Sequence, residues 1–341
     1  MITGAAGFKG SWLILFLKFF EAKIIAIRHT KETILFKILK KNLKFHKIYK
    51  ADVTNYNQLK KIITKEKPSV IFHLAAQPLV IKSYEKPLET FRVNTNGTLN
   101  IIDISFKTAS VKSIVCVTTD KVYENNDKIN NFTESDKLGG DDPYSGSKAC
   151  AELIAKSYYN SFGCNKHMGI ATARAGNVIG GGDLSKNRLI PDIVRALYKK
   201  KKLFIRNLYS KRPWQHVIEP LYGYLLLAKK IYLQPKKYSG AYNFGPTYKN
   251  KYTVKNVFNK FKSFNKNKVI KFILHKSLLK EKKNLSLNSK KSNRFLGWKS
   301  FISFSETMHL TAEWFYYYYY YRSKILEISN KHIVFFLNKA K

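Results

Sequence analysis

Short, continuously apolar runs alternate with longer mixed ones through the first part of the chain. Residues 1–3, 23–27, 69–74, 113–117 and 170–174 read as strands, apolar throughout and bounded by turn residues. Between them, 12–17, 56–63, 89–106 and 144–162 read as helices, and a further helix starts near Arg188. Residues 242–246 close another strand-like run, and the C-terminal stretch reads as lysine-rich helices and turns. Strands that are apolar on both faces and separated by helices predict an α/β fold: a doubly wound parallel sheet covered on either side.

The C-terminal ends of these strands break the apolar pattern with small and polar residues: Gly4, Asp52, Ala75 to Gln77, and Thr118 to Lys121. In open α/β sheets, ligands bind at that edge. Gly4, Gly7 and Gly10 form a glycine turn between the first strand and the first helix, where backbone amides can approach a pyrophosphate. Farther on, Asp142 and Pro143 are helix-start signals, a capping acid followed by proline. Tyr144 and Lys148 come next, and their spacing of four puts phenol and ammonium on one helix face. A cation there favours phenolate, which makes Tyr144 a candidate base near neutral pH. The second strand ends in Arg28 and His29, where a dinucleotide fold usually offers an acid to the adenosine ribose. Arg28 would suit a 2′-phosphate, so this position leaves NADP open beside NAD.

Later segments add candidate binding groups. Residues 175–183 form a loop too glycine-rich to serve packing alone, and it includes Asn177. Residues 212–217 combine the cation of Arg212, the aromatic plane of Trp214 and hydrogen-bonding groups, types that suit a nucleotide diphosphate. Trp214 suits a core equally. Residues 316–321 are all tyrosine and read as a frayed or aggregation-prone end rather than a base-stacking platform.

A length of 341 residues and 45% hydrophobic content allow a large core in one big or two intimate domains. No apolar run approaches the roughly 18 residues needed to span a bilayer. The run 12–17 is short, is interrupted by Lys18 and lacks a cleavage site, so it reads as a buried helix and not a signal peptide. Cys116, Cys150 and Cys164 have neither disulfide nor metal-ligand spacing, which suits a reducing cytoplasm and no metal site. The formal charge of +40 is scattered along the chain, with short clusters at 199–202, 280–283 and 290–291. Lys, Asn, Ile, Phe and Tyr are all abundant, a pattern of compositional drift rather than of a docking module. It predicts salt-sensitive, nonspecific polyanion binding and no specific nucleic-acid partner.

Taken together, these residues resemble an extended short-chain dehydrogenase/reductase acting on nucleotide sugars. Segments 3–13, 73–80, 119–125, 139–145, 173–183 and 212–221 are similar to the CDP-glucose branch of the 4,6-dehydratases. Lys121 stands where deoxythymidine-linked dehydratases commonly have Glu, which points to that branch. The resemblance implies a Rossmann-type domain over 1–174, rejoined by 217–243, and a smaller nucleotide-sugar domain over 175–216 and 244–315. Residues 316–341 remain a tail without a role. The implied cofactor is NAD, held by Gly4, Gly7, Phe8, Lys9, Gly10, Asp52, Val53, Leu74, Ala75, Ala76, Tyr144 and Lys148. In the implied chemistry Tyr144 takes the proton of the sugar 4-hydroxyl, to which Thr119 also bonds. Asp120 and Lys121 divide proton removal at C5 and protonation of the departing 6-hydroxyl. Asn177, Arg188 and Arg212 fall on the side of the substrate, implied to be CDP-glucose, and the implied assembly is a homodimer through helices of the dinucleotide domain. Without the resemblance, Asp52 fits a helix N-cap and Arg188 a surface cation. Against the family, the first strand is truncated, Ile81 and Lys82 replace an arginine pair, and Leu184 replaces a Trp.

Overall fold

The computed structural model describes all residues except 30, 128–130, 164–167, 200, 247–251, 265–271 and 275–284. Cys164, Lys200 and the basic cluster at 280–283 therefore lie outside the described residues.

Seven strands form one parallel sheet: β1 (Ile2–Thr3), β2 (Ile25–Arg28), β3 (Lys47–Lys50), β4 (Val70–His73), β5 (Ser113–Val117), β6 (Gly169–Arg174) and β7 (Gly240–Asn243). Their spatial order is β7-β6-β5-β4-β1-β2-β3. The order reverses between β1 and β4, which is where such a sheet opens a crevice at its carboxyl edge. Alternate residues face opposite sides. Ile2, Phe72, Val115 and Ala171 join the core on one face, while Ile27, Ile71, Ile114 and Ile170 join the core on the other. Both faces are dry, as continuously apolar strands require. β1 is only two residues long, yet it pairs on both sides, Ile2 with Ala26 and with Phe72.

Three helices position the carboxyl edge. α1 (Phe8–Lys18) follows β1 directly, and Trp12 to Phe16 are fully buried. α2 (Pro143–Phe162) begins where Asp142 Oδ1 accepts the Ser145 N–H at 3.0 Å, the predicted acid cap with proline at the first helical position. α3 (Ile218–Leu233) covers β5 and β6 on the α1 side. The segment read as one helix over 89–106 is instead Pro87–Phe91, a wider π-turn at Arg92–Asn96, and Gly97–Phe106. The π-turn directs Asn94 inward, where it bonds the Gln77 backbone at 2.8 and 3.1 Å and the Ser147 hydroxyl at 3.0 Å.

The tyrosine run is not a frayed end. It completes α4 (Phe304–Tyr320), and α5 (Ile325–Ala340) then folds back against α1. Aromatic packing explains this: Tyr319 stacks on Tyr198 at 4.3 Å, Tyr318 on Trp314 at 5.7 Å, and Phe336 meets Phe16 edge-on at 6.0 Å. Ile325, Ile333 and Phe336 are fully buried in the same core as α1.

Phe336→Ala should therefore lower stability by about 3–5 kcal/mol in a urea titration, the usual cost of deleting a buried phenyl ring. A loss below about 1 kcal/mol would mean that α5 is not part of the core.

Candidate active site

The glycine turn brings three backbones together. Gly4 adopts φ +68°, and a Cβ there would lie 2.7 Å from the Ala75 nitrogen, so the ends of β1 and β4 touch. A Cβ on Gly10 would lie 2.3 Å from the Gly4 carbonyl oxygen, so α1 starts hard against the turn. Gly7 precedes α1 without any side-chain cap, leaving the helix N-terminus to an external acceptor. Beneath it, the Thr3 hydroxyl and His73 Nδ1 are 2.7 Å apart, and burial pushes His73 down to about 3, so its ring is neutral. Leu74, Ala75 and Ala76 are partly buried along the rim.

At the end of β3, Asp52 is not a helix cap. Asn55 caps Tyr56–Glu66 by accepting the Gln58 N–H at 3.0 Å, whereas Asp52 Oδ1 accepts the Thr54 N–H at 2.9 Å. Burial pushes the Asp52 carboxyl up, but the Thr54 bonds and the charges of His29 and Arg92 together bring it below its ordinary value. Val53 packs on Gly97, where a Cβ would sit 2.7 Å from its Cγ2. At the end of β2, Arg28 is ion-paired with a residue four positions on: Glu32 Oε1 lies 3.2 Å from Arg28 Nε. A 2′-phosphate at Arg28 would meet that carboxylate.

Beyond β5 the chain turns through Thr118 and Thr119 into a 3-10 turn at Asp120–Val122. Thr119 Oγ1 donates to Asp120 Oδ1 at 3.0 Å and accepts the Lys121 N–H at 3.3 Å. Asp120 is buried, and its Oδ2 has no hydrogen-bond partner among the described residues. Gly176 makes room for it, since a Cβ there would lie 1.9 Å from that oxygen. Burial raises the Asp120 carboxyl, with Lys121, Thr119, Arg212 and Lys9 pulling the other way.

Tyr144 and Lys148 lie on α2 as their spacing requires, both buried. The electrostatic expectation for Tyr144 fails, however. Burial pushes its phenol up to about 12; the Thr119 hydroxyl and the Arg188 charge oppose the rise, and Lys148 is not among the groups that lower it. Lys148 donates from Nζ to the Val117 carbonyl at 2.9 Å, and burial lowers it to about 8. Lys9 reaches the same cluster from α1. Its Nζ is 3.3 Å from the Tyr224 hydroxyl, and burial followed by the charges of Arg188 and Lys148 brings it down to about 7. Glycine turn and catalytic turn thus share one electrostatic neighbourhood.

On the opposite wall, Asn177 adopts φ +45° and its carbonyl accepts the Gln215 N–H at 3.3 Å. Arg188 is anchored by Asp183 Oδ2 at 2.9 Å and reaches the Pro78 carbonyl at 3.4 Å, so it is more than a surface cation. Arg212 ends a strand pair with Tyr252, and its charge acts on Asp120. Trp214 resolves toward packing: it is buried in the main core and donates to the Tyr252 carbonyl at 3.1 Å. Arg174 lies in the apolar strand 170–174 and in the similar segment 173–183, but nothing in the sequence pairs it with Glu152, to which it is bound in the interior beneath the turn after β5.

The family model described as GDP-mannose 4,6 dehydratase matches residues 1–311. A CDP-glucose 4,6-dehydratase of Salmonella typhimurium is 38% identical over 320 residues, covering 92% of this chain and 89% of the relative. A dTDP-D-glucose 4,6-dehydratase of Dictyostelium discoideum is 32% identical over 220 residues, covering 60% and 49%. Among solved structures, the dTDP-glucose 4,6-dehydratase DesIV of Streptomyces venezuelae with NAD and TYD bound superposes with TM-score 0.80 at 21% identity, covering 92% and 96%. A UDP-glucose 4-epimerase of Thermotoga maritima with UDP-glucose also gives 0.80 at 21% identity, covering 92% and 97%. With a seven-stranded doubly wound sheet, a glycine turn at its switch point and a family match across nine-tenths of its length, the chain belongs to the GDP-mannose 4,6-dehydratase family.

Proposed function

We propose that this protein is an NAD-dependent hydro-lyase that converts CDP-glucose to CDP-4-keto-6-deoxyglucose. The observation that carries the reading is the convergence of Thr119, Asp120, Tyr144 and Lys148, all buried at one sheet edge, with the glycine turn beside them. The 38% identity to a CDP-glucose 4,6-dehydratase supports the substrate. The residues suit the cofactor: Gly4 and Gly10 leave no room for side chains, α1 starts without a cap, and Arg28 is already paired with Glu32, which favours NAD over NADP.

When bound, NAD would supply a hydride acceptor for C4, a hydride donor for C6 in its reduced form, and a positive nicotinamide ring. Burial holds the Tyr144 phenol at about 12, so Tyr144 would take the 4-hydroxyl proton as the phenolate that the positive ring of bound NAD would favour, with Thr119 sharing that hydroxyl and Lys148, at about 8, charged near neutral pH. The 4-ketone acidifies the hydrogen on C5. Lys121, as the neutral amine, removes it and returns a solvent-exchanged proton to C5 once C6 is reduced, and Asp120, whose carboxyl burial raises, protonates the departing 6-hydroxyl, which leaves as water. Asn177, Arg188 and Arg212 hold the nucleotide side, and residues 175–216 with 244–315 form the portion that carries it. Gly4, Gly7, Phe8, Lys9, Gly10, Asp52, Val53, Leu74, Ala75 and Ala76 line the cofactor side.

A second copy docks through helices of the dinucleotide-binding half, where Leu88 and Leu153 are 82% and 53% exposed. No helix among the described residues is long and apolar enough to cross a membrane, and a cytoplasmic site of action fits the free thiols of Cys116 and Cys150.

Incubated with CDP-glucose and NAD in deuterated water, the purified chain should yield a sugar that has lost one water and gained one solvent deuterium at C5, by mass spectrometry. Unchanged CDP-glucose beside reaction of another nucleotide glucose would contradict the substrate; no reaction with any would contradict the enzyme. Asp120→Asn should slow water loss by about 100-fold while leaving cofactor reduction intact. Gly176→Ala, whose Cβ must displace the Asp120 carboxylate, should lower kcat by about 100-fold with an unchanged circular dichroism spectrum.

A further inference from the structure

Beneath the catalytic turn lies an ion pair that the chemistry above does not use. Arg174 ends β6, and Glu152 faces it from α2 with Nη2 and Oε2 2.9 Å apart, the side chains 3% and 2% exposed. Removing two charges from water offsets most of their attraction, so such a pair is a poor source of net stability. What it holds is more informative. Glu152 accepts the hydroxyls of Thr118 and Thr172. The other prong of the guanidinium, Nη1, donates to the Tyr123 hydroxyl at 2.7 Å, and the cation lies 4.8 Å from the centre of that ring. Tyr123 donates in turn to Asn243 Oδ1 at 2.8 Å.

Thr118 and Tyr123 bracket Thr119, Asp120, Lys121 and Val122, so the pair grips the catalytic turn at both ends. The Thr119 hydroxyl donates to Asp120 Oδ1 at 3.0 Å and the Gly139 N–H to the Val122 carbonyl at 2.8 Å. The bonds that the turn's own N–H groups make within it are long, however, 3.3 Å for Lys121 N to Thr119 Oγ1 and 3.4 Å for Val122 N to the Thr119 carbonyl. Bonds of that length hold a short turn weakly. We propose that Arg174 and Glu152 are a positioning pair, a two-pronged clamp that fixes the catalytic turn from outside, with Tyr123 as its far jaw. Its catalytic consequence rests on the proposed dehydratase activity. Glu152, through Thr118, adjoins Thr119 and serves the oxidation. Arg174, through Tyr123, two residues from Lys121, holds the Val122 end of the turn and serves the elimination.

Tyr123→Phe removes one oxygen and keeps the stacked ring, so it tests the clamp with little risk to folding; Glu152→Gln and Arg174→Lys accompany it in the full chain. Amide hydrogen exchange of residues 118–124 should rise about tenfold in Tyr123→Phe, with β5 unchanged. In single turnover with NAD and CDP-glucose, Tyr123→Phe should slow water loss by about ten- to a hundredfold and leave cofactor reduction within about twofold. Glu152→Gln should slow cofactor reduction first, and Arg174→Lys, which cannot fork, should slow both steps. Unchanged exchange at 118–124, or equal slowing of both steps in Tyr123→Phe, would overturn the clamp. If the wild-type chain dehydrates no nucleotide sugar, the functional reading falls, and the exchange pattern alone still decides for or against the clamp.

Discussion

Burial of polar groups at the carboxyl edge of a parallel sheet is the constraint on which the rest of this structure depends. Strands covered on both faces can place polar side chains only at their ends, and here those ends are covered as well. Desolvation penalises charge, so the most deeply buried groups around the glycine turn and the turn after β5 move toward their neutral forms, while the partly exposed Asp52 does not. Lys148 falls to about 8, Lys9 to about 7, Tyr144 rises to about 12, and Asp120 rises as an acid. Neighbouring charges then trim these values. A carboxyl that burial raises thus lies in the same cluster as a buried phenol, the arrangement on which the proposed elimination draws.

Close backbone approach makes that edge possible. Gly4 and Gly10 bring the ends of β1 and β4 and the start of α1 into contact, while Gly176 leaves the space that the Asp120 carboxylate fills. The C-terminal helices reinforce the same region from below. Trp12 on α1 donates to the Gly181 carbonyl at 2.8 Å, and Trp314 on α4 fills the space where a Gly181 side chain would stand. The loop that carries Asn177 and Asp183 is therefore seated on α1, α4 and α5 rather than free in solvent.

Features written in local pattern were readable from sequence. Uniformly apolar strands, glycines between strand and helix, and a Tyr and Lys four apart behind a capping acid each have a direct physical signature. Features that arise only in three dimensions were not. Glu152 and Arg174 are 22 residues apart, and although Arg174 closes an apolar strand, its pairing with a helical glutamate exists only once the sheet is formed. The rise of the Tyr144 phenol comes from burial, which helical spacing to Lys148 does not encode. Asp52 reads as a strand end in the sequence, but the extent of β3, Lys47–Lys50, is not legible there because an edge strand keeps charged residues along its exposed rim. The tyrosine run looked unstructured because composition alone cannot reveal the aromatic partners Tyr198 and Trp314.

Burial, more than charge pairing, sets the protonation of the groups clustered at this edge. Carbon-13 NMR titration of aspartate carboxyls tests it most directly, with Asp120→Asn identifying the Asp120 signal. The account predicts that Asp120 titrates above the ordinary aspartate value of about 3.9. Titration at or below that value would mean that Lys121, Arg212 and Lys9 outweigh desolvation, and would contradict the account.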